Sequence, residues 1–299
     1  MGKLQKILNY LFSLFLSRKT KEKSEKVIVY IAIISFLLHL FVIALVNLNI
    51  IHVIDYNKLL TNPISAIYTP FSFIIIYEVY LLLYYLPKST SYYIGKQYEI
   101  ICLIVIRRIF KDLSNLELSA DWFLIKNDVL FTYDLIAILI LFWLIYIFYK
   151  LIKSNSEKND SHLDLEVIDF IKLKQNLATC LIPVLILLSF YSLTHWVLEN
   201  FFSVTKLVTE MKDINKIFFD DFFTILILVD ILLLIYSFIY SDKFNKVIRN
   251  SGFIISTILI KLSFSTTGFL NIILIIVALL FGVILFKIHN LFEKIDLKQ

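Results

Sequence analysis

Six long apolar stretches constrain what this chain can become. Residues 27–51, 64–86, 129–149, 177–202, 222–240 and 269–286 each carry at most one Asp or Glu and no Lys or Arg. At about 18–26 residues, each is long enough as a helix to cross ~30 Å of hydrocarbon. The composition agrees: 59% of residues are hydrophobic and only 18% are charged, against the ~45–50% apolar content of soluble domains. Too little polar surface is left to coat a water-soluble globule. The expected fold is therefore all-α, a polytopic membrane protein.

Two shorter runs, 97–112 (QYEIICLIVIRRIFKD) and 251–266 (SGFIISTILIKLSFST), carry charge and are ambiguous by hydropathy. The placement of Lys and Arg resolves them. If all eight segments cross with the N-terminus inside, the inner segments hold twenty Lys and Arg and the outer loops five. Excess positive charge marks the cytoplasmic side, so eight helices in the cell membrane with both termini cytoplasmic is the expected topology. The net charge of +5 sets orientation in such a chain and gives nucleic-acid binding no support.

Residues 1–26 read as a basic, amphipathic N-terminal segment. Leu4, Ile7, Leu8, Leu11, Phe12 and Phe15 recur at helical spacing, and Arg18, Lys19, Lys21, Lys23 and Lys26 follow. A helix of this kind lies in the headgroup layer, with its cations on the anionic inner leaflet. Gly2 does not make a myristoylation signal, because Lys6 stands where Ser or Thr is required.

An internal repeat organises the remainder. Shifted by 154 positions, residues 100–110 fall on 254–264 with five of eleven identical, and Arg107 falls on Lys261. Ser35-Phe36 falls on Ser189-Phe190, and with a two-residue slip Glu78 falls on Asp230. The expected organisation is a first four-helix half over 27–150, a cytoplasmic linker over 151–176, a second half over 177–286 and a cytoplasmic tail over 287–299. The linker sequence SHLDLEVIDFIKLKQ reads as a short amphipathic helix that opens with a capping-box spacing of Ser161 and Asp164. An even number of spans per half makes the halves parallel.

Charges inside spans are expensive and point to function or to register-fixing pairs. With inner turns at 87–96 and 241–250, Glu78 is expected to meet Arg107 and Asp230 to meet Lys261. Asp134 is a candidate partner of Arg108. His195 and Glu199 share a helix face at i, i+4 beside an acidic loop, which reads as a solvated rim with a divalent-cation site as the alternative. Cys102 and Cys180 lie in apolar runs without metal-ligand spacing. No metal or cofactor is expected.

Residues 72–106 resemble the second and third helices of the voltage-sensor domain of voltage-gated potassium channels. Glu78 precedes Pro87 by nine residues; an aromatic turn (Tyr92, Tyr93) and then Glu99 follow. The resemblance implies that Glu78 and Glu99 catch cations within the bundle, with Phe73 or Tyr77 as the aromatic plug. The fourth helix, 129–149, contains no Lys or Arg, so the resemblance implies a charge-paired four-helix bundle rather than a ladder of gating charges.

The sequence contains no Gly-x-Ser-x-Gly or His-Glu-x-x-His motif, and an enzyme is not expected. The leading expectation is an ion or small-solute pathway with intramembrane charge pairs. The alternative is a non-transporting subunit that docks a cytoplasmic protein through 1–26 and 150–176. A homo-oligomer is a further arrangement compatible with the sequence.

Overall fold

The computed structural model describes residues 3–50, 62–113, 126–156, 165–197, 214–240 and 244–296. Among them all regular structure is helical: α1 (Lys3–Phe15), α2 (Arg18–Asn47), a 3₁₀ turn (Pro63–Ile67), α3 (Tyr68–Tyr85), α4 (Thr90–Leu113), α5 (Lys126–Ser156), α6 (Leu165–Val197), α7 (Ile214–Tyr240), α8 (Phe244–Phe264) and α9 (Phe269–Asp296). Six of these, α2 and α5 to α9, are long and apolar enough to cross a membrane. Their outward faces expose large apolar side chains, such as Leu37, Leu38 and Phe41 on α2 and Leu139, Phe142 and Trp143 on α5. Apolar area on that scale needs lipid, not water, against it. The chain is a membrane-embedded helical protein.

Local signals set the helix ends. Ser17 caps α2, its hydroxyl accepting from Thr20 N at 3.2 Å, which satisfies one orphan amide of the first turn. Pro87 follows the last turn of α3, where a residue lacking an amide donor cannot continue the ladder. Gly268, at φ +68°, makes the tight turn from α8 to α9 in a conformation that side-chain-bearing residues rarely adopt.

Three boundaries differ from the sequence expectation. Helices α4 and α8 both start seven residues earlier than the apolar runs at 97 and 251, at Thr90 and Phe244. The first turns of α4 are polar but largely buried, at Ser91, Tyr93 and Gln97, because protein surrounds them, while those of α8 are half-buried. Helix α6 runs unbroken from Leu165 to Val197, so residues 165–176 are its first turns and not a separate linker helix. The cause is Lys174, which is 5% exposed and points into the bundle.

Helices α2 to α5 pack each on the next, as do α6 to α9, and the two runs join through α9 on α5, α3 on α6 and α4 on α8. Successive helices alternate in direction. At one end Tyr80 Oη donates to Phe15 O, Phe170 stacks on Tyr236, and Asn290 donates to Leu151 O. Lys88 lies over the Tyr84 ring at the same end, which is called the basic end below. At the far end His39 meets Thr69, Phe71 stacks on Phe110, and Tyr133 packs on Phe269. Helix α1 lies across the basic end against α6, with Gln5 Nε2 donating to Asn176 Oδ1 at 3.3 Å.

The closest approach is between α8 and α9. Both carry small residues four apart, Gly252 and Ser256 on α8 and Ala278 and Gly282 on α9. This pattern lets helix backbones approach in a membrane, where dispersion and hydrogen bonds replace the hydrophobic effect. The Ser256 hydroxyl donates to Ala278 O at 2.7 Å, and so accepts from Tyr98 Oη at 2.9 Å. Tyr98 thereby inserts its ring from α4 between the two helices. A Cβ at position 282 would lie 1.7 Å from Tyr98 Oη. Gly282→Ala is expected to destabilise the protein by about 1–3 kcal/mol through overpacking. In a Tyr98→Phe background the same change is expected to destabilise less. Thermal unfolding in detergent of the four combinations measures the coupling; equal losses in both backgrounds would exclude this contact as the cause.

Candidate functional site

Polar side chains converge where α4, α6, α7 and α8 meet. Asp230 lies ten residues from the end of α7, ~15 Å along the helix, and is 8% exposed. It accepts a long hydrogen bond from Gln97 Nε2 at 3.4 Å. The Gln97 carbonyl in turn accepts from Thr257 Oγ1 at 2.8 Å. Gln97 and Thr257 are both fully buried. Lys174 acts electrostatically on Asp230 from α6, donates to Thr90 Oγ1 at 3.0 Å, and lies over the Phe170 ring. Between them is a cavity of about 30 Å³, lined among others by Thr90, Tyr93, Lys174, Asp230 and Asn250. That is room for one or two waters. Tyr93 is buried, and its hydroxyl lies beside Asp230 and Gln97 and acts on both.

Asn250 ties this cavity to a second cluster at the basic end. Its Oδ1 accepts from Arg249 Nε and Nη2 at 3.2 and 3.1 Å. Arg249 Nη1 lies 3.1 Å from His289 Nε2. A guanidinium can only donate, so this imidazole nitrogen is the acceptor. Glu293 lies one turn further along α9, 3.3 Å from the same nitrogen.

A third cluster joins α3, α4 and α5. Lys96 bonds the Glu99 carboxylate, and Tyr149 Oη donates to the other Glu99 oxygen at 2.5 Å. Gly95 leaves room for this tyrosine, since a Cβ there would lie 2.9 Å from its hydroxyl. Glu78 Oε2 is buried without a hydrogen bond, and the charges nearest in effect are Lys96 and Glu99.

At the far end Arg108 grips Asp134 with two parallel bonds, Nε to Oδ2 at 2.6 Å and Nη2 to Oδ1 at 2.5 Å. Its remaining arm donates to Asn271 Oδ1, also at 2.6 Å, and Asn271 donates to Ser263 O. This one guanidinium therefore links α4 to α5 and α9, and through Asn271 to α8.

Two of the expected pairs do not meet. Glu78 faces Lys96 and Glu99, while Arg107 lies higher on α4, its Nη1 3.5 Å from Ser72 Oγ. Asp230 faces Gln97 and Lys174, and Lys261 sits about two turns beyond its level on α8. The physical reason is the early start of α4 and α8. Seven extra helical residues shift every downstream side chain by ~10 Å relative to the facing helix. Arg108 and Asp134 do lie together. His195 is in α6, but its side chain lies outside the described residues, as does Glu199 altogether. Gln97, Thr257, Tyr93, Lys174 and the Arg249–His289 contact are not singled out by the sequence. The signal that could have marked them is their i, i+3/i+4 recurrence along the first turns of α4, at 90, 93 and 97.

The chain matches no protein-family model, no curated protein and no solved structure. Its reading therefore rests on its own geometry.

Asp134 is 2% exposed, and removing its partner leaves a charge in low dielectric. Arg108→Leu alone is expected to destabilise by about 3 kcal/mol, and the double variant Arg108→Leu/Asp134→Leu by less than either single change. Unfolding of the three variants in detergent checks this, and additive losses would show that the two groups act independently.

Proposed function

We propose that this chain forms an ion or small-solute pathway through the cell membrane, built on eight crossings with both termini cytoplasmic. The observation that carries the reading is the cavity at Asp230. A carboxylate, an amine and an amide are buried around a water-sized space between helices that could have been sealed with Leu and Ile. Groups of this kind are costly inside a membrane and are retained where polar species bind or pass. Here Asp230, Lys174 and Gln97 take the place of the intramembrane pairs expected from sequence.

The eight-crossing topology draws support from three sources. The alternating helix directions put the chain's lysine-rich turns at one end. Helices α3 and α4, at 18 and 24 residues, reach ~27 and ~36 Å. The twenty-to-five split of Lys and Arg orients the basic end inward. Two parallel four-helix halves are supported by the helix starts: Thr90 of α4 and Phe244 of α8 are separated by 154 residues, the offset of the sequence repeat. The voltage-sensor resemblance fits this frame as a charge-paired bundle in which Glu78 and Glu99 flank Lys96.

Reconstituted into liposomes, the full chain is expected to dissipate at least one imposed ion gradient, and Asp230→Asn to abolish that flux. Flux equal to empty vesicles under proton, sodium, potassium and chloride gradients would sink the pathway reading. The runner-up, a subunit that docks a cytoplasmic protein, is favoured by the exposed Ile7, Tyr10 and Leu14 of α1. It requires a partner that co-purifies and is lost when residues 1–26 are removed.

Orientation is checked separately by single-cysteine labelling in a background lacking Cys102 and Cys180. A membrane-impermeant reagent added to intact cells is expected to label Glu117→Cys and to spare Lys158→Cys. The reverse at either site would break the eight-crossing topology.

A further inference from the structure

The cavity at Asp230 has an opening side and a closed side. Toward the basic end its lining includes Leu86 and Thr90, at the turn from α3 to α4, Phe170, Lys174 and Asn250 from the first turns of α6 and α8, and Leu233 and Leu234 of α7. Beyond Asp230, toward the far end, α7 buries Leu226, Phe223 and Phe222 in succession. The Phe223 ring packs on Phe264 of α8 at 5.4 Å, and Ile260 fills the level between. The polar groups of the lining thus lie toward the basic end, and an apolar plug lies behind Asp230.

We propose that Asp230 is a proton-binding site loaded from the basic end, so that the ion handled by this pathway is a proton. The inference rests on the pathway reading given above and names its ion. Four observations carry it. The cavity of about 30 Å³ is too small for a hydrated metal ion or an organic solute. The Lys174 ammonium, held on Thr90 Oγ1, already acts on the carboxylate as its cation. Asp230 accepts a long hydrogen bond of 3.4 Å from Gln97 and has the Tyr93 hydroxyl beside it, so it can take a proton without breaking a short ion pair. Tyr93, 1% exposed, lines the same space beside Asp230 and Gln97 and is a further polar neighbour for a water in it.

The step is a simple transfer. A hydronium or water chain from the basic end gives one proton to a carboxylate oxygen of Asp230, forming one O–H bond and breaking another. The reverse step returns it to water. The Lys174 ammonium offsets the charge of the unloaded carboxylate. The ionisable groups around the site are Lys174 from α6, Tyr93 from α4, and Arg249 of α8, which acts on Lys174. On this arrangement the loaded site is net positive and the unloaded site near neutral, so proton release is favoured when Lys174 remains charged.

Two measurements on the full chain in liposomes test this. The first is infrared difference spectroscopy across a pH titration with isotope-labelled aspartate. A carboxylic acid C=O band that titrates, is absent in Asp230→Asn and shifts in Asp230→Glu is expected. The second is flux: decay of a pH gradient, lost in Asp230→Asn and kept in Asp230→Glu. No titrating band overturns the proton site. Movement of sodium, potassium or chloride through Asp230 without proton movement overturns the proton inference and leaves the pathway standing. A titrating band with no flux of any ion supports the proton site and overturns the pathway. Because the band is read on the native chain, the test holds even if the Asn variant fails to fold.

Discussion

The first turns of α4 have to find hydrogen-bond partners inside an apolar bundle, and the rest of the structure is arranged around that need. In ten residues this helix carries Thr90, Tyr93, Lys96, Gln97, Tyr98 and Glu99. A helix points such a run to every side, so no single neighbour can satisfy it. Lys174 of α6 takes Thr90, Asp230 of α7 and Thr257 of α8 take Gln97, Ser256 of α8 takes Tyr98, and Tyr149 of α5 takes Glu99. In low dielectric an unmet polar group costs several kcal/mol, while a satisfied network is strengthened. Helix α4 thus dictates where α5 to α8 stand.

Close approach is the counterpart of those bonds. The sequence has five glycines, and three of them, Gly95, Gly252 and Gly282, sit where a Cβ would strike a neighbouring side chain at 2.9 Å or less. Two of those neighbours are Tyr149 and Tyr98, the tyrosines that bond Glu99 and Ser256. Glycine scarcity and glycine placement therefore have one explanation. Straight helices need few breaks, and the residues lacking a side chain are kept for the contacts that carry the polar core.

The clusters differ in what their geometry allows. Arg108 and Asp134 satisfy each other fully, with Asn271 taking the remaining arm, and such a closed pair behaves as a clamp across the far end. Asp230 and Glu78 are held loosely, by one long bond and by none respectively on their buried oxygens. Loosely held carboxylates beside lysines can change protonation or partner at low cost, whereas the clamp cannot. The proposed proton site follows from that contrast more than from the presence of charge alone.

Much of the fold was legible from the chain. Apolar length identified the membrane helices, since hydrocarbon thickness demands it. The uneven placement of Lys and Arg between alternate loops led to the expectation of alternating helices, and the pairing of Arg108 with Asp134 was anticipated because each lies close to the same turn end. The partners of Glu78 and Asp230 were not legible. Polar first turns of α4 and α8 look like loop by hydropathy, and in α4 it is the neighbours that bury Tyr93 and Gln97 that favour helix. A seven-residue change in a helix start moves facing side chains by ~10 Å, enough to exchange one partner for another. The sequence by itself determined the solvent and the all-helical class, because those depend on composition along the chain. The tertiary structure alone decided which charges meet, because register between helices is set by side-chain fit and not by hydrophobicity.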